Sequence, residues 1–236
     1  MMTLLLSVFF LFGASVSHAD NPPVSVPVVM VDYPPFTSPE VPGQGIFYDA
    51  LARAFAGVCC WNFVPEYLPP VRAKEYIYDT GNNWLISFMP DWEGRAHIES
   101  FVLLENGVKD MLFRRTQNDP FRWQDLSFLQ GKTVAITRGL PADNVAETVR
   151  NAGGSVVLVT TPEQGIRMLL AGRVDYTEGL YEAGFYFANK AGFDPGELQA
   201  SEPPLFTLPL KIYLNTLHPA ADQIRPVLQK RLPVKR

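Results

Sequence analysis

The sequence is poor in the residues that build disulfide scaffolds and metal sites. It contains two cysteines and three histidines among 236 residues, so it has no disulfide framework. Cys59 and Cys60 are adjacent, and neither His97 nor His218 stands at ligand spacing from them, which argues against a metal site. We interpret the two cysteines as thiols at a strand edge, with an intermolecular disulfide as the alternative, and we expect no cofactor.

An excess of charge of either sign is also lacking. Lys and Arg number 20 against 24 Asp and Glu, which gives a net charge of -4. This balance offers no electrostatic reason to expect a nucleic-acid partner. Hydrophobic residues make up 47% of the chain and include 16 Phe and 4 Trp, enough material for a core, which argues against a disordered chain.

Long apolar runs are absent after the first residues. The run Leu4–Val16 is shorter than the roughly 20 residues that a membrane span requires. Small residues follow it in Ser17-His18-Ala19, a pattern typical of a signal peptide cleaved before Asp20. We therefore predict a signal peptide over residues 1–19 and a soluble periplasmic product. A buried N-terminal helix or an uncleaved anchor is the alternative.

Strand and helix patterns alternate along the rest of the chain, which predicts an α/β fold with mainly parallel sheets. The polar loop Arg115–Trp123 separates two such series, so two lobes that share a cleft are expected. The predicted strands are Val24–Asp32, Trp61–Tyr67, Trp84–Met89, Gly107–Arg114, Thr133–Thr137, Ser155–Val159, Val174–Thr177 and Leu210–Leu214. The predicted helices are Ile46–Ala56, Val71–Tyr78, Pro141–Ala152, Thr161–Leu170, Tyr181–Ala191 and Ala220–Leu232.

Six short motifs mark the ends of these elements. They are Asp32-Tyr33-Pro34-Pro35-Phe36, Gly45-Ile46-Phe47-Tyr48-Asp49-Ala50-Leu51, Pro69-Pro70-Val71-Arg72-Ala73, Asp91-Trp92-Glu93-Gly94-Arg95, Leu129–Ile136 with Arg138-Gly139, and Ala171-Gly172-Arg173-Val174-Asp175. In this order, the motifs resemble those of the family 3 bacterial solute-binding proteins, the amino-acid-binding receptors of ABC transporters. The resemblance covers nearly all of the chain after residue 19.

The resemblance implies a type II periplasmic-binding-protein clamshell, with mixed, mostly parallel sheets and flanking helices. Residues 20–113 and 206–236 would form lobe 1, and residues 114–205 would form lobe 2. Two strands, near Val108–Arg114 and Leu205–Leu214, would join the lobes. The implied partners are a small-molecule ligand held between the lobes and a membrane permease, and we expect a monomer.

Arg95 is the leading candidate for ligand binding. It matches the family's arginine that clamps the ligand carboxylate, and a guanidinium offers a planar, permanently charged fork that suits a carboxylate. A surface arginine paired with Glu93 or Glu99 is the alternative.

Five further residues are candidates on the same resemblance. Tyr33, Phe36 and Trp92 would form walls of the cleft or stack over a flat or cationic group, with core packing as the alternative. Ser87 would donate to the ligand unless it is an ordinary strand serine. Arg72 would point into the cleft or lie on an exposed helix face.

The second half departs from the family pattern at two places. Gly139-Leu140-Pro141-Ala142 lacks the hydroxyl residues that usually follow the strand. The acidic residue that usually meets the ligand's ammonium falls near Leu180, so Glu178 or Glu182 would have to replace it. A solvated carboxylate at a helix start is the alternative for both.

No P-loop, dinucleotide-binding fingerprint or nucleophile motif is present, so we expect a binding protein rather than an enzyme. The predicted function is capture of a small polar solute, an amino acid or related carboxylate, for an ABC-type importer. Two alternatives remain. The chain could be a ligand-sensing receptor for a membrane signalling protein, or a small dehydratase-like enzyme with Glu178 as its acid–base group.

Overall fold

A computed structural model describes residues 23–58, 60–89, 94–138 and 142–232. The strands in these residues are β1 (Val24–Val31), β2 (Trp61–Leu68), β3 (Ile86–Ser87), β4 (Ile98–Arg115), β5 (Thr133–Thr137), β6 (Ser155–Val159), β7 (Tyr176–Leu180), β8 (Leu198–Ala200) and β9 (Phe206–Asn215). The α-helices are α1 (Ile46–Ala54), α2 (Pro70–Tyr78), α3 (Ala142–Asn151), α4 (Pro162–Leu170), α5 (Tyr181–Lys190) and α6 (Ala221–Arg231). The predicted signal peptide lies outside the described residues.

The strands form a two-lobed α/β fold along one continuous hydrogen-bonded path, in the order β2-β1-β3-β9-β4-β7-β5-β6, with β8 paired to β4. We call β1–β3 with α1, α2 and α6 the first lobe, and β5–β8 with α3–α5 the second. Within the first lobe β1 pairs in parallel with β2 and β3, and within the second β5 pairs in parallel with β6 and β7. Every antiparallel pairing involves β4 or β9, so the mixed α/β architecture expected from the sequence is confirmed.

The long strand β4 carries the chain from one lobe to the other beside β9. Their ladder runs from Ile98↔Asn215 to Asp110↔Phe206 and shifts register twice between Val102 and Val108. Gly107 lies in this irregular stretch with a φ of 60°, and a Cβ there would collide with the Leu208 carbonyl. Only glycine fits so close a crossing of two backbones.

Three groups of buried side chains hold the fold together. One lies in the first lobe and includes Met30, Ile86 and Ile224. Another lies in the second lobe around Ile136 and includes Leu112 of β4. The largest joins both lobes, because it contains side chains from β1, the turn after β1, α4 and α5. Apolar burial of this extent is the main favourable term in folding.

The predicted helices and most of the predicted strands keep their bounds to within two residues, whereas the strand predicted as Leu210–Leu214 begins at Phe206 as β9. β7 continues to Leu180 instead of ending at Thr177, because β4 pairs with it from Phe113↔Thr177 to Asp110↔Leu180. β4 begins at Ile98, nine residues before the predicted start, and β8 was not predicted. None of the helices in the described residues is long and apolar enough to cross a membrane.

Candidate functional site

The turn after β1 brings two aromatic rings to the boundary between the lobes. The Tyr33 amide donates to the Thr37 carbonyl at 2.6 Å, and the Thr37 hydroxyl donates to the Val31 carbonyl at 2.6 Å, which closes the turn around a cis Pro34-Pro35 bond. Tyr33 and Phe36 are 7% and 3% exposed. Their ring centroids are 6.2 Å apart, so the two rings form one apolar surface.

Helix α1 begins directly against this turn. Gly45 has a φ of 102°, and a Cβ there would collide with the Phe36 carbonyl. The Phe47 amide donates to the same carbonyl at 2.9 Å, and the Phe47 ring packs 4.8 Å from the Phe36 ring. The glycine and the aromatic residue of this motif therefore fix the position of the turn.

Tyr33 connects the first lobe to the second. Its hydroxyl oxygen accepts a hydrogen bond from the Leu180 amide at 3.3 Å. Its ring meets the ring of Phe187 on α5 edge to face, with centroids 6.3 Å apart. An ion pair between Lys190 on α5 and Glu40, 2.7 Å long, adds a second contact between the lobes near the surface.

Two carboxyl groups lie buried beside the Tyr33 contact. The pairing of β4 with β7 sets Asp110 opposite Leu180 and Leu112 opposite Glu178, so the Asp110 and Glu178 side chains project from the same face of the sheet. Asp110 is 3% exposed and Glu178 is 7% exposed. The two carboxyl groups hydrogen-bond to each other.

The surroundings of the pair raise the pKa values of both groups. Burial raises the pKa of Asp110 to about 6, although hydrogen bonds from Glu178 and from the Gly179 and Met111 amides partly oppose this. Burial, and then the charge of Asp110, raise the pKa of Glu178 well above its ordinary value. Both shifts favour the protonated forms, so the pair retains a proton to higher pH than two exposed carboxyl groups would.

The same environment acts on Tyr33. Burial raises its pKa well above the ordinary value, and the nearby Glu178 and Asp110 add to the effect. The phenol therefore stays neutral at physiological pH. Three groups therefore meet at one buried point. They are the neutral phenol of Tyr33 from the first lobe, the carboxyl group of Asp110 from the crossing strand β4, and the carboxyl group of Glu178 from the second lobe.

This point lies where solutes bind in open α/β sheets. Tyr33 follows the carboxyl end of β1, Glu178 lies near the carboxyl end of β7, and the amide of Thr137, the last residue of β5, bonds to the Glu178 carboxyl. Crevices at the carboxyl ends of parallel strands are the usual ligand sites of such folds.

The other residues singled out in the sequence are more dispersed. Arg95 is exposed, with its guanidinium 4.9 Å from the centroid of the Tyr78 ring. Arg72 is exposed on α2. Ser87 is buried at the end of β3, and its hydroxyl accepts the Met89 amide at 2.9 Å. Trp92 lies outside the described residues. Binding roles for these four residues remain predictions.

The structure thus brings together Tyr33, Phe36 and Glu178, and adds Asp110, which the sequence analysis missed. Glu178 does not lie at a solvated helix start; it is buried within β7, and Glu182 instead occupies the exposed first turn of α5. The signal for Asp110 was an acidic residue directly before the apolar run Met111-Leu112-Phe113 in a predicted strand. A charged side chain buried in a strand is costly unless it is paired or hydrogen-bonded.

A groove of about 640 Å³ on the outer side of α4 offers a different kind of surface. Its lining includes Arg167, Arg173 and Phe193, and neither Asp110 nor Glu178 borders it. It is open to solvent and carries no buried ionisable pair, so the boundary between the lobes is the better candidate site.

Solved structures similar to this one are two-lobed binding proteins. The GluR0 ligand-binding core in complex with L-glutamate matches with a TM-score of 0.67 and 16% identity over 89% of this chain and 92% of that chain. An amino acid ABC transporter substrate-binding protein from Streptococcus pneumoniae, bound to L-arginine, matches with a TM-score of 0.65 and 14% identity over 88% of this chain and 86% of that chain.

A third similar structure is a histidine kinase sensor domain with similarity to periplasmic binding proteins. It matches with a TM-score of 0.67 and 20% identity over 88% of each chain. No protein-family model and no curated protein matches the sequence. At these identities the likeness is one of fold, and it confirms the resemblance to the clamshell of amino-acid-binding receptors.

Proposed function

We propose that this chain, built on the clamshell fold of amino-acid-binding receptors, captures a small polar solute between its two lobes for an ABC-type importer. The observation that carries the proposal is the meeting of Tyr33, Asp110 and Glu178 at the carboxyl ends of the strands. An apolar wall with a few converging polar groups is what a small-molecule site requires. An amino acid or related compound fits this combination.

The contacts between the lobes are suited to opening. Tyr33 meets the second lobe through one amide hydrogen bond and an edge-to-face ring contact. The ion pair Lys190–Glu40 is solvent-exposed, with side chains 40% and 61% accessible, and exposed pairs contribute only about 0–1 kcal/mol. A solute that offers the buried groups better partners would therefore compete with these contacts.

A ligand screen tests the proposal directly. Thermal unfolding should be measured with the 20 amino acids, polyamines and organic acids, and each hit followed by calorimetry. A solute at 100 times its Kd adds about 2.7 kcal/mol to the free energy of unfolding, which is a clear shift in Tm. Failure of every solute class to shift Tm would contradict a receptor function.

The predicted location in the periplasm rests on residues 1–19 and needs its own test. Mass spectrometry of the exported protein should give a chain that starts at Asp20. A membrane-bound species that retains Met1 would overturn the signal peptide and with it the periplasmic assignment.

A sensory receptor is the second candidate, and the likeness to a histidine kinase sensor domain favours it. The two roles differ in what deletion of the gene does. An importer's receptor is required for uptake of the labelled solute, whereas a sensor's loss leaves uptake intact and abolishes the transcriptional response to it.

A further inference from the structure

We propose that the groove on the outer side of α4 is a docking surface for an acidic segment of a protein partner, in which carboxylates flank an apolar side chain. We call it the α4 groove. This inference rests on the proposed function, because an importer and a sensor both require contact between the receptor and a membrane protein. It assigns that contact to the second lobe, away from the candidate solute site.

Apolar side chains in the α4 groove are the first observation in its favour. The groove has a volume of about 640 Å³, and Met168 and Phe193 lie in its lining. The Phe193 amide donates to the Ala188 carbonyl at 3.0 Å just after α5 ends. The Phe193 side chain is half-buried, yet it belongs to none of the three core clusters of the described residues. Aromatic, Met and Arg side chains are enriched in protein interfaces, so Phe193 offers apolar area that the core does not use.

An arginine without a counterion is the second observation. In the part of the chain that the structure describes, the exposed side chain of Arg173 makes no hydrogen bond or ion pair. Arg167 donates to Glu163 at 2.9 Å through Nε, and its terminal nitrogens make no other hydrogen bond among the same residues. Two arginines against one glutamate give the described lining a net charge of +1, in a chain whose net charge is -4.

Charge complementarity selects the class of partner. A guanidinium pairs with a carboxylate in a planar, two-bond geometry. One carboxylate of a partner would pair with Arg173, and a second would share Arg167 with Glu163. An apolar side chain between the two carboxylates would cover Met168 and Phe193. This arrangement gives the apolar centre and polar rim that are typical of protein interfaces.

The α4 groove borders a contact between the lobes. A hydrogen bond to Glu40 raises the pKa of Lys190, and the charge of Glu163 in the groove adds to this effect. Lys190 and Glu40 form the 2.7 Å ion pair that joins the two lobes near the surface. A segment docked in the groove therefore lies next to a contact that exists only when the lobes meet.

A lipid surface fits the α4 groove less well than a protein segment does. Anionic membranes attract clusters of roughly four to eight basic residues, and the described lining holds two. A groove also admits a protruding side chain, whereas lipid headgroups would contact only its rim. We therefore assign the groove to a protein and treat membrane binding as a result that would contradict the assignment.

An array of random hexapeptides, probed with the fluorescently labelled protein, measures the chemistry that the α4 groove accepts. We expect peptides that bind the wild type to be enriched in Asp and Glu beside an apolar residue. Arg173→Glu should bind these peptides at least tenfold more weakly. Arg150→Glu reverses the same charge at the exposed end of α3, outside the groove, and should bind them as the wild type does. Circular dichroism checks folding, and if Arg173→Glu does not fold, Arg173→Gln carries the test.

A photo-crosslink in cells identifies the partner. p-Azidophenylalanine in place of Phe193 keeps an aromatic ring in the groove, and mass spectrometry identifies the segment that it captures. We expect an acidic segment of a membrane protein, with a crosslink yield that falls at least tenfold when Arg173→Glu is added. A crosslink to a basic or uncharged segment, or no crosslink at all, would contradict the proposal.

Further results separate failure of the docking surface from failure of the receptor function. If no peptide distinguishes Arg173→Glu from the wild type, or if phosphatidylserine vesicles bind the wild type but not this variant, the docking surface is wrong. In that case a solute that binds Arg173→Glu and the wild type within about twofold leaves the receptor function intact. If acidic peptides bind in the groove while no solute of the panel binds, the docking surface stands and the receptor function fails.

Discussion

Asp110 and Glu178 make the stability of the protein depend on pH in an unusual direction. Both pKa values are raised in the folded state, that of Asp110 to about 6 and that of Glu178 well above its ordinary value, with burial as the largest cause. Folding therefore favours the protonated forms. Their contribution to stability is complete below the unfolded pKa values, about 4, and is lost as pH rises through the folded values.

We expect Glu178→Gln to stabilise the unliganded protein relative to wild type more at pH 8 than at pH 5. The glutamine cannot ionise, so it escapes the loss that wild type undergoes, which amounts to at most about 1.4 kcal/mol per pH unit for each proton. Urea unfolding at the two pH values measures the difference. Glu182→Gln is the exposed control, and an equal effect of Glu178→Gln at both pH values would contradict the buried, protonated state.

Arg95 remains the predicted clamp for a ligand carboxylate. Removing it should cost roughly 2–5 kcal/mol of binding, a loss of tens to thousands of fold in affinity for an amino acid. Arg95→Lys should recover only part, because an ammonium cannot replace a planar fork. Calorimetry with an amino acid found in the ligand screen measures both changes.

Lys74→Ala is the matched control for Arg95→Ala, since both cations lie over the Tyr78 ring, at 5.9 Å and 4.9 Å. A loss of affinity in both variants would point to a disturbed ring rather than a lost clamp. If Arg95→Ala stays folded and binds within about twofold of wild type, the clamp assignment is wrong.

The positions of single residues were predictable from the sequence where a short local motif determines them. Tyr33 and Phe36 end the first strand in a turn-forming motif, and their place at its exit follows from that motif. The pairing of Asp110 with Glu178 was not predictable, because it is set by the register between β4 and β7, strands separated by most of the second lobe. No local pattern encodes that register.

At the scale of elements, the crossing of β4 and β9 depends on one glycine. Gly107→Ala places a Cβ against the Leu208 carbonyl at a positive φ. We expect it to lower the free energy of unfolding by more than the roughly 1–2 kcal/mol that a left-handed conformation alone costs. Denaturant unfolding measures the loss.

Gly131→Ala is the control for the loss of stability that comes from the positive φ alone. Gly131 has a similar φ of 70°, and nothing lies within 4 Å of a Cβ there. We expect Gly131→Ala to lower the free energy of unfolding less than Gly107→Ala does, by about 1 kcal/mol or more. The added methyl group at Gly107 would have to displace the Leu208 backbone, which overpacking makes costly. Equal penalties would mean that the crossing is not tightly packed.

Helices and parallel strands were largely predictable, whereas the strands that depend on distant partners were not. Thr133–Thr137 and Ser155–Val159 match their predicted bounds, because each is a short run of β-forming residues. The end of β7, with Glu178-Gly179-Leu180, has a poor strand pattern and is held in the sheet by β4. The pairing with β4 therefore makes these residues a strand, which their own β-propensity does not predict.

At the scale of the whole molecule, two lobes joined by the crossing strands β4 and β9 are expected to open and close as rigid bodies about these strands. Small-angle scattering should show a decrease in radius of gyration when the wild type is saturated with a solute found in the screen. Glu40→Gln removes one partner of the exposed ion pair with Lys190. Its effect on affinity should stay within about fivefold. An unchanged radius at saturation would contradict the clamshell motion.

The position of β9 has a consequence for the order in which the protein is made. Ile86 of β3 pairs with Leu214 of β9, and α6 completes the core of the first lobe with Ile224 and Leu228. A nascent chain thus leaves the β9-facing edge of β3 unpaired while the entire second lobe emerges, on the order of ten seconds at 5–20 residues per second. The first lobe is begun first and completed last, and in that interval the open edge of β3 and the core surface that α6 later covers are the part of this lobe that a chaperone would protect.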